Sequence, residues 1–501
     1  MHFMMRASLL VGVLSITACG PKVTNNGDPD AATTVPECEP GTSEACYSGA
    51  PGTQGVGPCV AGSRVCGADG LWGGCSGEVA PVGEACSNGV DDNCNGAVDE
   101  EIDQDGDGFT NCGGDCCDAA GAGCTNPELV NPGAFEAEGN MVDDDCDGQT
   151  DNVLAANCDA ALTSNSATAS DYAAAIDICQ TATVTDNQWG LISARLTRAD
   201  GTGSPLPQQA SIRPSFGNTV VQSGGAFTVL STGHAAAPGQ TNPAFLDFQT
   251  GSVNNGLGLG GSSAFPADFL SANGGTLPNA PGCPELAAGT TANDPVMLEL
   301  EVRAPTNAKS FSFSMNFMSS EYPEWTCSLF NDFFVVLLDS TYAGTPANPA
   351  DKNLAIYTTA GGQVFPVGVN LAAGDTGLFT QCKNGPTGCT ANQNSNLTVP
   401  GTINTCANTT ELTNTGFDIL NPNENSFSDG FDGFCGANNT LGGGTGWLTT
   451  SGNIVGGEVF KLRIAIWDTS DGIYDSLAII DNFKWSVDAS EPGTILQKPK
   501  H

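Results

Sequence analysis

The 501-residue chain reads as mainly β, with an antiparallel β-sandwich or jelly-roll-like domain over residues 153–488. Small disulfide-rich, calcium-loop modules with little regular structure precede it. Three observations predict this. Apolar residues alternate with polar ones in several stretches after residue 290, the period of half-buried strands. Gly-, Asn- and Thr-rich stretches separate these patterns, with no interleaved helical periodicity, which argues against a parallel doubly wound sheet. The first third is dense in Cys, Gly and Asp and shows little apolar periodicity.

The N-terminus predicts a targeting segment. Arg6 supplies a positive start and residues 7–16 an apolar run, too short to span a bilayer and typical of a secretory signal over residues 1–18. The run ends Ile16-Thr17-Ala18-Cys19-Gly20, which resembles a bacterial lipobox. That resemblance implies lipid modification of Cys19, and Gly20 in place of Asp favours the outer membrane. Several acyl chains would anchor the protein stably, where one alone is marginal. Ordinary signal cleavage beside a chance cysteine is the rival reading. Residues 19–36 are polar, contain proline and form a flexible tether, and residues 489–501 form a polar tail.

Cysteine parity agrees with an exported, lipid-anchored chain. Of 21 Cys, setting Cys19 aside leaves fourteen from Cys38 to Cys179 and six from Cys283 to Cys435. Both counts are even, so both parts can be fully oxidised. Residues 37–85 carry Cys38, Cys46, Cys59, Cys66 and Cys75 among many glycines, with Trp72 as the one large apolar anchor. So small a piece lacks a core and needs disulfides. Its cysteine spacings fit no usual zinc pattern.

Residues 86–151 hold eighteen Asp and Glu, seven Cys and no Lys, Arg or His. Such a density of carboxylates repels itself unless cations offset it. The whole chain carries a net charge of -40, which excludes binding to nucleic acid and electrostatic docking on anionic lipid. Within the acidic segment, Val90-Asp91-Asp92-Asn93-Cys94-Asn95-Gly96-Ala97-Val98-Asp99 recurs 52 residues on as Val142-Asp143-Asp144-Asp145-Cys146-Asp147-Gly148-Gln149-Thr150-Asp151. Between the copies, Asp103, Asp105 and Asp107 stand at the first, third and fifth positions of an EF-hand-like loop. Gly108 permits the sharp turn, the Phe109 carbonyl can ligate, and Asn111 holds the ninth position. The twelfth position is Gly114 rather than Glu, with Asp115 and Asp118 close behind, and the surrounding Cys and Gly exclude flanking helices. The candidate metal ligands are therefore Asp103, Asp105, Asp107, Phe109, Asn111, Asp115 and Asp118, with Asp91, Asp99, Asp143, Asp145, Asp147 and Asp151 from the repeats. Hard carboxylates select calcium over copper; a solvated acidic linker is the alternative.

Past residue 152, Tyr172, Ile176 and Cys179 predict one short helix over 170–179 with Ser170 as N-cap. Strands follow. Leu298, Leu300 and Val302 alternate with charged residues; Phe311, Phe313, Met315 and Phe317 alternate with Ser and Asn; Leu462, Ile464 and Ile466 alternate again. The continuous apolar runs 333–338 and 477–480 predict strands buried on both faces. Residues 371–456 read as long loops.

Residues 89–151 resemble the bacterial "putative metal-binding motif" family related to the copper-binding MopE. The two repeats carry the resemblance, with the 103–109 loop, Gly114-Asp115-Cys116-Cys117-Asp118 and Asn131-Pro132-Gly133-Ala134-Phe135-Glu136. The copper label transfers poorly, since no His lies between His2 and His234. Cys117 departs from the family pattern, which leaves the pairing of Cys116 and Cys117 open. The stretches 225–233, 319–332 and 466–476 resemble the choice-of-anchor L domain family, whose members are secreted or surface-displayed and which has no established catalytic activity.

In that β domain, Glu321, Asn331, Asp332, Asp471 and Asp475 are candidates for a second cation site, with Asp481 nearby. The equal alternative is a set of strand-end carboxylates capping turns. His234 sits in a loop after a strand and reads as structural. The sequence holds no His-Glu-x-x-His, no Gly-x-Ser-x-Gly and no phosphate loop. The expectation is a non-enzymatic, calcium-binding surface lipoprotein whose β domain binds a surface protein, glycan or matrix ligand. The alternatives are a carboxylate-dependent glycan hydrolase and a metal storage or scavenging protein.

Overall fold

A computed structural model describes residues 37–101, 103–121, 124–152, 158–185, 187–248, 261–283, 291–323, 325–328, 330–374, 376–383, 406–418, 442–470 and 472–497. The signal, tether and Cys19 lie outside the described residues. Contacts divide the chain into two units, Met1–Glu100 and Glu101–His501.

In the first unit, strands β1 (Ser43–Cys46) and β2 (Gly62–Val65) form an antiparallel hairpin. Disulfides Cys38–Cys66, Cys46–Cys75 and Cys59–Cys94 tie it together. Val60, Val65, Leu71, Val79 and Val82 are exposed, so cross-links, not an apolar core, hold this unit. Trp72 is covered by the Arg64 guanidinium, 4.9 Å from its ring centre. Every described cysteine of the chain is in a disulfide.

The second unit is built on two antiparallel sheets. One has six strands in the order β12 (Gly493–Leu496), β9 (Gly443–Asn453), β7 (Ser310–Ser319), β11 (Ser476–Ser486), β5 (Phe227–Ser231) and β4 (Ala210–Arg213). The other runs β8 (Phe333–Asp339), β10 (Val459–Thr469), β6 (Ala292–Arg303), β3 (Gly190–Thr197), with Ser262–Ser263 also paired to β6. Leu300 faces Leu462, Phe334 faces Ile466, and Met315 faces Ile480 across their ladders. The alternating residues of both sheets meet in one core: Leu298, Leu300, Val302, Leu462 and Ile464 against Phe311, Phe313, Met315 and Phe317.

The continuous apolar runs are explained by cover on the outer faces. Phe333, Val335 and Leu337 pack with Trp467 under Phe265 and Phe269, the latter from helix α2 (Ala267–Ala272). Leu477 and Ile479 pack with Phe227, Phe248 and Phe417. Both runs are buried on two faces, as their composition predicts. No helix among the described residues is long and apolar enough to cross a membrane.

Two expectations need correction. Helix α1 spans only Ala169–Ala174, with Thr168 and not Ser170 at the N-cap. Asp177 adopts a left-handed φ of 73° and Cys179 is drawn to Cys158, so the chain turns before the predicted end. The stretch 371–456 contains β9, an eleven-residue strand. Its glycines hide it: a Cβ on Gly443 would lie 2.6 Å from the Phe379 ring, and one on Gly452 would lie 2.5 Å from Leu354. Close packing here demands glycine, which removes the apolar signal of a strand.

Candidate metal centre

The aspartates of the 103–118 loop fold the loop around themselves. Asp103 accepts from Gly106 N (2.6 Å) and Gly108 N (3.1 Å), Asp105 from Asp107 N (3.2 Å), and Asp107 from Phe109 N (2.8 Å). Asp118 accepts from Gln104 N (2.5 Å) and Asp115 from Cys117 N (2.8 Å). Each carboxylate spends one oxygen or both on backbone donors, as Asp does in turns. The result is two overlapping groups, Asp103–Asp105–Asp118 and Asp105–Asp107–Asp115, whose ligand oxygens lie within 4.8 Å of one another. Asp105 belongs to both. The buried Oδ2 atoms of Asp105 and Asp115 have no hydrogen-bond partner, the condition that a bound cation relieves.

Burial, reinforced by neighbouring aspartates, pushes the Asp115 carboxyl up to about 6. Burial likewise raises Asp105 and Asp107. Phe109 closes the loop with a buried ring, and Asn111 opens a 3-10 turn, its Oδ1 accepting from Cys112 N (2.9 Å). Cys116 pairs with Cys146 and Cys117 with Cys124, which resolves the open pairing.

Asn131, fully buried, ties this loop to the sandwich. Its Nδ2 donates to Asp107 Oδ2 (2.7 Å), and its Oδ1 accepts from Gly133 N (2.9 Å) and the Thr306 hydroxyl (2.6 Å). Phe135 and Asn307 exchange two hydrogen bonds, and Trp189 Nε1 donates to Ala134 O (2.8 Å). A Cβ on Gly133 would strike the Phe109 ring at 2.8 Å. This half of the acidic segment is therefore built into the β unit.

The internal repeat is also a repeat of hydrogen bonds, and it begins earlier than the matching sequence. Asp91 accepts from Asn95 N and Gly96 N, and Asp143 from Asp147 N and Gly148 N. Asp99 accepts from Asn88 N and Gly89 N, and Asp151 from Gly139 N and Asn140 N. Glu84 takes Asp92 N and Asn93 N, and Glu136 takes Asp144 N and Asp145 N. Asp91, Asp99 and Asp151 thus act as turn acceptors, and among the described residues none belongs to a group of three close carboxylates. In the second copy Glu136, Asp143 and Asp145 form a third group, and Glu136 Oε2 is buried without a hydrogen-bond partner. Burial raises the carboxyls of Glu136 and Asp145. Asp147 stays outside, accepting from Gln149 N and Asn152 Nδ2.

The first copy has Asn93 and Asn95 where the second has Asp145 and Asp147. Both amides donate to Glu100, whose carboxyl is held below its ordinary value by Asn93. Sequence reasoning placed Glu136 in the family motif but not among the ligands; the 52-residue offset from Glu84 was the usable signal.

In the β unit, Glu321, Asn331, Asp332 and Asp475 are all buried; Asp471 lies outside the described residues. Asn331 Oδ1 accepts from Asn370 N (3.2 Å) and Asp332 from the Ser476 hydroxyl. Asp475 presses on Gly233, where a Cβ would lie 2.1 Å from its Oδ2. Asp481 belongs elsewhere: it accepts from Gln222 N (2.5 Å), and burial, with Asp177 nearby, pushes it up to about 7. His234 Nδ1 donates to Ala244 O (2.8 Å).

Comparison with known families adds two matches. The Choice-of-anchor L domain model covers residues 229–483, just over half of the chain. The MopE-type "Putative metal-binding motif" model covers 82–100 and 126–152, taking in Glu84 and Glu136 and leaving the 103–118 loop between its two pieces. No curated protein and no solved structure gives a significant match.

Proposed function

Because this chain belongs to the choice-of-anchor L domain family, we propose that it is a non-catalytic, calcium-stabilised lipoprotein of the outer membrane. In this reading the β-sandwich faces outward as the binding module for a surface protein, glycan or matrix ligand. A cell-surface domain is joined here to a metal-binding motif. The observation that carries the calcium reading is the shared Asp105. It stands in two carboxylate groups and has a buried oxygen without a hydrogen-bond partner.

The donor set fits a hard cation. Asp103, Asp105, Asp107, Asp115 and Asp118 would hold the first ion, and Glu136, Asp143 and Asp145 a further one. All offer carboxylate oxygen, which suits calcium and not copper. The histidine among the described residues is engaged with Ala244, and the described thiols are oxidised. A bound ion would offset carboxylate repulsion, so its binding free energy becomes folding free energy. Asn131 would pass that order to the sandwich through Thr306.

Calorimetric titration of the full chain with calcium, and melting with and without EGTA, test the reading. Heat of binding and a melting point lowered by EGTA are expected. Absence of both, or stoichiometric copper uptake under copper loading, overturns it. Cys19→Ala should release the protein from the membrane fraction. Glycan and surface-protein arrays identify the ligand, and turnover of a polysaccharide would overturn the non-catalytic reading.

A further inference from the structure

A second group of carboxylates lies inside the sandwich and is independent of the acidic loop. Strand β10 sends Leu462, Ile464 and Ile466 into the core, and two residues later comes Asp468. It is 1% exposed. Neither of its carboxylate oxygens makes a hydrogen bond. Strand register sets Asp332 and Asp294 beside it, since Phe333 pairs with Trp467 and Asn293 with Asp468, and the charges that act on it most strongly are those of Asp332, Asp294 and Asp475. Asp332 and Asp294 have no exposed surface, and Asp475 is 2% exposed.

These residues come from both sheets. Asp332 precedes β8 and Asp294 lies in β6, beside β10; Asp475 precedes β11, whose first residue, Ser476, gives its hydroxyl to Asp332. Asp294 takes a left-handed φ of 45°, a conformation that side chains other than glycine adopt at a cost. Lys and Arg are absent from the groups acting most strongly on Asp468.

A buried carboxylate without a counter-charge is costly. Two solutions exist, a proton or a cation. A protonated Asp468 would carry an O–H that needs an acceptor, and neither of its oxygens has a partner. A cation satisfies both oxygens and offsets the neighbouring charges together. We propose that Asp468, with Asp332, Asp294 and Asp475, binds a calcium ion that joins the two sheets. The loop carboxylates place their oxygens within 4.8 Å of one another, whereas these four are more widely spaced. Oxygen-only ligation of high negative charge selects calcium.

The test uses the full oxidised chain, loaded with calcium, and metal analysis after gel filtration in metal-free buffer without chelator. An Asp105→Asn/Asp145→Asn background removes members of all three loop groups. Calcium lost between wild type and background reads the acidic loop; calcium left on the background reads this interior site. The background is expected to retain about one calcium per chain, and adding Asp468→Asn to abolish it. A folded background without metal overturns the proposal, as does calcium that survives Asp468→Asn. If Asp468→Asn does not fold, the metal content of the background decides alone.

Discussion

Asp105→Asn should change the sign of its effect with calcium. Asp105 stands within 4.8 Å of carboxylate oxygens of Asp103, Asp118, Asp107 and Asp115. At that range and an effective dielectric constant near 20, each like-charge pair costs roughly 3 kcal/mol unscreened. The loop is only half-buried, so solvent and salt reduce the sum to about 1–3 kcal/mol. Asn keeps the shape and one oxygen but removes the charge. In EGTA the variant should therefore be more stable than its parent. In calcium it loses a ligand shared by both groups. Binding a thousandfold above its dissociation constant contributes about 4.1 kcal/mol, which outweighs the gain, and that part should be lost. Differential scanning calorimetry of the two proteins in EGTA and in millimolar calcium measures both. The same sign under both conditions would refute the reasoning: stabilisation in both would mean that Asp105 shares no ion, and destabilisation in both that the carboxylates do not repel one another.

The other expectations concern the sandwich. Asn131→Ala removes hydrogen bonds to Asp107, Gly133 and Thr306 and should cost about 2–4 kcal/mol, raising hydrogen exchange in both 103–118 and 304–308; a change confined to one of these segments would break the link between them. Phe311→Ala empties a site stacked between Phe460 and Phe483, at 5.6 and 5.2 Å, and should cost about 3–5 kcal/mol in denaturant unfolding; a loss below about 1 kcal/mol would place that ring outside the stabilising core. Asp481 is raised to about 7, so between about pH 4 and 7 the folded protein keeps a proton that the unfolded chain has released, and stability from this group falls as pH rises. Asp481→Asn should match its parent near pH 4 and exceed it at pH 8 by up to about 4 kcal/mol; an advantage that does not grow with pH removes titration as the cause.

Much of the fold was legible because it depends on local spacing. Phe311 to Phe317 and Leu298 to Val302 alternate as strands must, and the runs at 333–338 and 477–480 announced their double cover. Strand β9 was not legible, since Gly443 and Gly452 are selected by the approach of Phe379 and Leu354, side chains distant in the chain. The helix was overextended for a similar reason: Tyr172 and Ile176 keep the spacing, but the turn at Asp177 and the pull of Cys158 end it.

The site divides in the same way. The order Asp103, Asp105, Asp107 and the 52-residue repeat by themselves marked where carboxylates would gather, because neighbouring residues need only a short turn to meet. Cysteine parity likewise followed from counting. Only the tertiary structure decided that Glu136 joins Asp143 and Asp145, that Asn131 ties the loop to Thr306, and that Asp468 lies beside Asp332 and Asp294. Those meetings depend on strand register and on loops closing over more than a hundred residues, and the spacing of neighbours along a chain carries no record of either.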